Sequence, residues 1–227
     1  MHVDHHVAQA AFGASLTALM RVVDRLSDDD LQAASYCRGW TVGDVLTHLH
    51  LGLQEMLLGI VATTDADPDT DAAGYWRLAP PSNDDEAAQD DIAQIRFTRL
   101  LTSAYRRPTG LVGHMRPTVD GVTLAVSRMA DGAVAFQRRV LTTGDFLATW
   151  TVEVAVHHLD LTRELDLPPP PAPGLTIARA TIEALAGGAL PVTWADTEAV
   201  LVGAGRVPPS VQQRRDAGTL VERLPVL

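Results

Sequence analysis

Glu153 and His157 are residues whose types and spacing suit metal chemistry. They lie four residues apart in the segment Thr151–Leu161, and on an α-helix that spacing places both side chains on one face, one turn apart. A carboxylate and an imidazole so placed can bind one divalent metal, and a catalytic zinc site takes three protein ligands and keeps one position open. The alternative is a solvated Glu–His pair on a helix edge. The apolar residues around the pair favour the metal, because buried carboxylates and imidazoles need partners.

The third ligand must come from elsewhere in the chain, and two histidines are candidates. Residues 40–45 have the pattern of a helix start, in which Thr41 caps the helix and Asp44 takes the third position of a capping box. The predicted helix runs to about residue 61, and its apolar stripe has His48 on one flank and His50 on the other. His50 is slightly nearer the centre of the stripe. Periodicity alone therefore does not choose between them.

Composition excludes several classes of function. The 227 residues carry a net charge of −10 with a pI near 5.1, and all 18 basic residues are arginine. An acidic chain without a basic patch is not typical of nucleic-acid binders, and the absence of lysine excludes a Schiff-base or P-loop lysine. No apolar run is long enough to span a membrane and no signal peptide is evident, so we expect a cytoplasmic protein without membrane contact. The single cysteine, Cys37, rules out an internal disulfide.

The elements that must position the candidate ligands are mostly helices. Apolar residues at helical spacing predict further long helices at residues 4–26, 84–105 and 145–166, the last of which carries Glu153 and His157. Residues 63–85 are predicted to form a surface loop, with Asn83 or Asp84 capping the helix after it. Residues 111–131 are ambiguous because Pro117 interrupts them.

The proline-rich stretch at residues 168–173, in which every residue except Ala172 is proline, is the best boundary in the chain. Such a run forms a stiff, extended spacer. We therefore predict a helical metal-binding bundle over residues 1–167 and a small C-terminal segment over residues 168–227, which is α/β or irregular.

Two segments resemble the mycothiol-dependent maleylpyruvate isomerase family, within the DinB-like metalloenzyme superfamily. Residues 40–49 resemble that family's W-T-x-x-x-V-L-x-H-L segment, and residues 153–161 resemble its E-x-x-x-H-x-x-D-L segment. The tail Gly203–Arg206 is similar to a G-R turn seen in many members. The resemblance implies a mainly α, DinB-like four-helix bundle whose divalent metal, expected to be Zn²⁺, is bound by His48, Glu153 and His157.

The resemblance also implies that mycothiol is the cosubstrate. Zinc lowers the pKa of a bound thiol and holds it as a thiolate, so we expect a low-molecular-weight thiol to attack a small electrophile, for isomerisation or S-transfer. Asp160 is expected to bond a ligand or cap the helix interior, and Arg206 to bind an acidic group of the thiol or substrate or to fix the tail. Cys37 has no obvious base beside it, and we interpret it as structural.

Two other functions stay open at this point. One is a zinc hydrolase that uses metal-bound water as the nucleophile. The other is a non-catalytic bundle that binds a ligand or a partner. The sequence leaves open whether the protein forms a homodimer.

Overall fold

The computed structural model describes residues 1–77 and 84–227, with side chains described in the second range from residue 92 onward. The α-helices are α1 (His5–Val23), α2 (Val42–Val61), α3 (Ala72–Arg77), α4 (Asp84–Ser103), α5 (Gly110–Ser127), α6 (Thr143–Asp160), α7 (Ala172–Ala186), α8 (Asp196–Gly203) and α9 (Val211–Ala217). The strands are β1 (Thr63–Thr64), β2 (Ala133–Phe136) and β3 (Arg139–Thr142). The predicted mainly α fold is confirmed. The predicted cap at Asn83 lies outside the described residues.

Four of these helices form a closed bundle. Helix α1 packs on α6 and α5, and α2 packs on the same two helices, so that the apolar faces of all four meet in one core. Phe12 of α1, Leu46 of α2, Met115 of α5 and Phe146 of α6 are each at most 1% exposed. Along the described part of the chain, none of the helices combines the length and the apolar content that crossing a bilayer requires.

Helix α2 begins as its sequence predicts. The Thr41 hydroxyl accepts from the Asp44 amide at 3.2 Å, and the Asp44 carboxylate accepts from the Thr41 amide at 3.0 Å. The reciprocal pair satisfies two backbone donors that the first turn would otherwise leave without partners. This capping box fixes the start of the helix that carries His48.

Helix α5 runs unbroken through Pro117, where the sequence was ambiguous. A proline ring in a helix crowds the carbonyl of the residue four positions earlier and cannot donate to it. Here that residue is Gly113, and both Gly113 and Pro117 are exposed. The carbonyl faces solvent, so the missing hydrogen bond is tolerated and the buried face of α5 stays intact.

A small antiparallel sheet lies beside the bundle. Strands β2 and β3 pair through a two-residue turn at Gln137 and Arg138, whose φ angles of 45° and 65° are those of a type I′ turn. Strand β1 pairs with β2. The region predicted as a surface loop therefore contains a short strand and, further on, helix α3.

The segment after the prolines is helical and packs on the bundle. Helix α7 contacts α6 and α1, and it ends at Gly187 in the left-handed conformation with φ 72°, which glycine adopts without a Cβ penalty. Helix α8 packs on α7 and α6. The division at residue 167 stays a prediction, but the tail segment is positioned to reach the bundle.

Candidate metal centre

Three side chains from α2 and α6 converge at one point. Nε2 of His48 lies 3.8 Å from Oε1 of Glu153, and Nε2 of His157 lies 3.5 Å from Oε2 of the same carboxylate. One ligand atom from each residue lies within 4.8 Å of the others. His157 is buried, whereas His48 and Glu153 are 25% and 29% exposed, so the cluster is reachable from solvent.

The spacing and the donor types fit a zinc ion. In a tetrahedral site with bonds of about 2.1 Å, neighbouring ligand atoms lie about 3.4 Å apart. Each histidine Nε2 lies 3.5–3.8 Å from one of the two Glu153 oxygens, and one ligand atom from each residue lies within 4.8 Å of the others, so small side-chain rotations bring the three donors to that spacing. Two imidazoles and one carboxylate form a donor set found in catalytic zinc sites with an open fourth position. The charge of Glu153 also suits a divalent cation. Burial opposes ionisation of this carboxyl group, but hydrogen bonding from His48 and the charge of His157 outweigh burial and lower its pKa.

His157 is oriented by Asp160. Nδ1 of His157 lies 2.8 Å from Oδ2 of Asp160, one turn further along α6. A hydrogen bond from Nδ1–H to a carboxylate fixes the imidazole tautomer and leaves Nε2 free to bind a metal. Burial would lower the pKa of His157, but the hydrogen bonds with Asp160 and Cys37 and the charge of Glu153 together raise it to about 10. Without a metal, Nε2 therefore carries a proton at neutral pH, which a metal bound there would displace.

Asp160 is the centre of a buried polar network. Its side chain is 0% exposed and, besides His157, it binds Arg206, whose Nε lies 2.8 Å from Oδ1. Burial opposes its ionisation, but His157 and Arg206 outweigh burial and lower the pKa of Asp160. Arg206 also donates to the carbonyl of Ala204 at 2.8 Å. The structure therefore brings the predicted residues Asp160 and Arg206 together directly behind His157.

Cys37 has polar neighbours that its local sequence did not indicate. The sequence shows no base beside it, but Sγ lies 3.1 Å from Oδ2 of Asp160 and 4.0 Å from Nδ1 of His157. These partners come from α6, more than a hundred residues away, so local sequence gave no signal of them. Cys37, His157 and Asp160 form a second group of potential metal ligands that shares His157 with the first.

The other candidate histidines point away from this cluster. His50 is 3% exposed and faces α5, where Nε2 lies 3.0 Å from the Thr118 hydroxyl and its ring lies 4.7 Å from that of His114. Burial and the neighbouring His114 lower the pKa of His50. His158 is fully buried, and its Nε2 lies 3.0 Å from the Pro168 carbonyl; burial lowers its pKa to about 4. Of the two histidines that periodicity could not separate, His48 is the one that lies beside Glu153 and His157.

Two cavities flank the cluster. One of about 420 Å³ is lined by Cys37, Arg38, Trp40, His157 and Arg206 among others. The other, of about 450 Å³, is lined by residues that include His48, Gly52, Glu55, Phe97 and Thr98. Gln94 of α4 lines both cavities and lies 3.4 Å from Nδ1 of His48. A larger cavity of about 500 Å³ lies at the opposite end of α6, where Met129 and Thr143 are among its lining residues. None of the three residues of the cluster lines it.

Tyr75 reaches the neighbourhood of the cluster from α3. Burial raises the pKa of Tyr75 far above its usual range, and the charges of Glu153 and Glu55 raise it further. Its hydroxyl donates to Oε1 of Gln137 at 2.7 Å. The sequence pattern did not identify Gln137 or Glu55.

Comparisons with known proteins match the chain to one family. Residues 12–162 match the model of the family described as the mycothiol maleylpyruvate isomerase N-terminal domain. Two solved structures share the fold: a mycothiol-dependent maleylpyruvate isomerase and a histidine-to-alanine variant of it. They have TM-scores of 0.51, are 13% and 12% identical, and the alignments cover 81% of this chain and 70% of theirs. No curated protein sequence matches.

Proposed function

Because the chain belongs to the mycothiol maleylpyruvate isomerase N-terminal domain family, we propose that it is a zinc-dependent enzyme that activates a small thiol, mycothiol, toward a small electrophile. The observation that carries the proposal is the convergence of His48, Glu153 and His157 between α2 and α6. Two cavities beside this cluster offer room for two reactants.

Each of the three proposed ligands has a defined role. His48 and His157 present Nε2, and Glu153 presents a carboxylate that balances one of the two positive charges of a divalent ion. Zinc bound there lowers the pKa of a coordinated thiol and keeps it as a thiolate at neutral pH. Trp40 packs against His48, with ring centroids 5.2 Å apart, and restricts the orientation of that imidazole.

Asp160 and Arg206 support the ligands in the proposed site. Asp160 accepts a hydrogen bond from Nδ1–H of His157 and so holds the tautomer in which Nε2 can bind the metal. Arg206 compensates the charge of the buried Asp160 and lines the 420 Å³ cavity, where its guanidinium favours an acidic group of a reactant. The proposed reaction class is isomerisation of an activated double bond or S-transfer to an electrophilic carbon.

The proposal is tested by metal content and thiol dependence in the same preparation. The purified protein should carry about one zinc per chain, and the alanine variants of His48, Glu153 and His157 should each lose it. His50→Ala and His158→Ala are the matched controls and should keep it, because His50 contacts Thr118 of α5 and His158 contacts the Pro168 carbonyl, both away from the cluster. Full occupancy in His48→Ala would refute the ligand assignment.

Turnover with maleylpyruvate as a first test electrophile should require added mycothiol. Hydrolysis of a test ester or amide without any thiol, lost on removal of the metal, would replace the proposed function with that of a zinc hydrolase. If the protein showed no turnover and bound mycothiol or maleylpyruvate equally well after removal of the metal, it would instead be a non-catalytic binding bundle.

A further inference from the structure

A hydrogen-bond chain on the α2 side of the cluster links three separate elements. The hydroxyl of Tyr75, on α3, donates to Oε1 of Gln137 at 2.7 Å, and Nε2 of Gln137 donates to Oε1 of Glu55, on α2, at 2.9 Å. Gln137 lies in the β2–β3 turn with a positive φ of 45°. Both ends of the Gln137 amide are therefore used, and the Glu55 carboxylate is held in one orientation.

Glu55 lines the same 450 Å³ cavity as His48. The two residues lie seven positions apart on α2, which is two helical turns, or about 10 Å along the axis. A thiol bound beside His48 therefore has to extend along the helix for its other end to contact Glu55. A thiol with a larger body would reach both.

The carboxylate of Glu55 determines which functional groups of a bound thiol this end of the cavity favours. Glu55 is exposed; one of its oxygens accepts from Gln137, and among the described residues no donor contacts the other, which is open to solvent or to a ligand in the cavity. A carboxylate only accepts hydrogen bonds and repels other anions. This end of the cavity therefore favours hydroxyl or ammonium groups and disfavours carboxylates.

The cavity on the other side of the cluster has the opposite charge. Arg38 and Arg206 line it, next to His157. Guanidinium groups suit carboxylates. The two cavities meet at Gln94, so the site has one side suited to an anion and one suited to a donor-rich neutral or cationic group.

We propose that the 450 Å³ cavity holds the body of the small thiol and that Glu55, positioned by Gln137 and Tyr75, recognises its hydroxyl or ammonium groups. The anionic electrophile then occupies the arginine-lined side. This inference rests on the proposed use of a thiol, and it adds which residue determines the choice of thiol.

The test is a calorimetric titration of the zinc-loaded protein with two thiols. One is mycothiol, which carries a hydroxyl-rich body, and the other is N-acetylcysteinamide, which has the thiol without that body. Glu55→Gln should weaken mycothiol binding about tenfold, the value of one charge-assisted hydrogen bond, and leave N-acetylcysteinamide unchanged. Asparagine tolerates a positive φ, but its side chain is one carbon shorter than that of glutamine. Gln137→Asn should therefore remove the contact with Glu55 without disturbing the turn, and weaken mycothiol binding about two- to threefold because only the orientation of the carboxylate is lost.

The matched control is Glu198→Gln, which removes an exposed carboxylate on α8 and should leave both thiols unaffected. Equal mycothiol affinity in Glu55→Gln and the unaltered protein would overturn the inference, and so would a parallel loss of both thiols. If the unaltered protein bound neither thiol, the proposed thiol use would fail and this inference with it, an outcome that differs from a defect confined to Glu55→Gln.

Discussion

Replacing Asp160 with asparagine tests the buried network behind the candidate metal centre. The substitution keeps the shape of the side chain but exchanges one acceptor oxygen for a donor NH₂ group. Asp160 accepts from His157 on Oδ2 and from Arg206 on both oxygens, with Nε 2.8 Å from Oδ1 and a second guanidinium nitrogen 3.3 Å from Oδ2. Because an amide has one oxygen and the shorter Arg206 contact is at Oδ1, the amide oxygen would stay with Nε of Arg206 and the NH₂ group would face Nδ1 of His157.

The expected effect on metal binding follows from the tautomer of His157. An NH₂ donor facing Nδ1 needs Nδ1 as an acceptor, which moves the proton to Nε2 and blocks the atom that faces Glu153. Loss of such a supporting carboxylate lowers metal affinity by about 10- to 100-fold. The metal-free protein should also lose about 2–4 kcal/mol of unfolding free energy, because a buried charge pair loses one partner. With a urea dependence of about 2 kcal/mol per molar, the unfolding midpoint should fall by about 1–2 M.

The assay is a competitive zinc titration beside urea unfolding of the metal-free protein. Asp196→Asn removes the charge from another aspartate, which pairs with Arg179 and is 38% exposed; it should leave metal affinity unchanged. Arg206→Gln keeps the contact between Asp160 and His157, and should therefore destabilise the protein while changing metal affinity by only a few-fold. A folded Asp160→Asn protein with unaltered zinc affinity would refute the role assigned to the carboxylate, and an Arg206→Gln protein that loses zinc as strongly would refute the tautomer argument.

Three further outcomes are expected. Thr41→Ala should cost about 0.5–2 kcal/mol in chemical denaturation because it removes the cap of α2; an unchanged midpoint would mean that the capping box does not stabilise the helix. Cys37→Ser should leave mycothiol-dependent turnover within about threefold, since a hydroxyl can still donate to Asp160; an inactive, folded, zinc-containing Cys37→Ser protein would place the nucleophile in the chain itself. Chelation of the metal should lower the melting temperature of the unaltered protein and not that of His48→Ala, because binding to the folded state adds stability by mass action; equal shifts in both would argue against His48 as a ligand.

Local sequence patterns were sufficient to predict the features that involve residues of a single helix. The capping box of Thr41 and Asp44 uses residues three positions apart, and the four-residue spacing of Glu153 and His157 is likewise a property of a single helix. Such patterns depend only on helical geometry, and the structure confirms that geometry in both cases. Whether the second pair binds a metal stays a prediction.

Features that depend on the packing of distant elements could not be predicted in the same way. His48 and His50 flank one apolar stripe, and only the placement of α6 and α5 on either side of α2 decides which histidine meets Glu153. Cys37 meets Asp160 through a chain separation of 123 residues, which no local pattern encodes. Pro117 made the helix prediction for residues 111–131 ambiguous, but α5 tolerates this proline because Pro117 and Gly113, four positions earlier, lie on its exposed face.

The contact between Arg206 and Asp160 would couple the C-terminal segment to the proposed metal site. If Arg206 steadies the carboxylate that orients His157, then docking of the tail and binding of the ion are thermodynamically linked. Linkage is reciprocal. If docking of the tail raises the metal affinity by a given factor, binding of the metal raises the equilibrium constant for docking by the same factor. Susceptibility of residues 204–227 to a protease should therefore fall as zinc is added, and a partner that sequesters this tail would weaken metal binding without touching any of the three ligands.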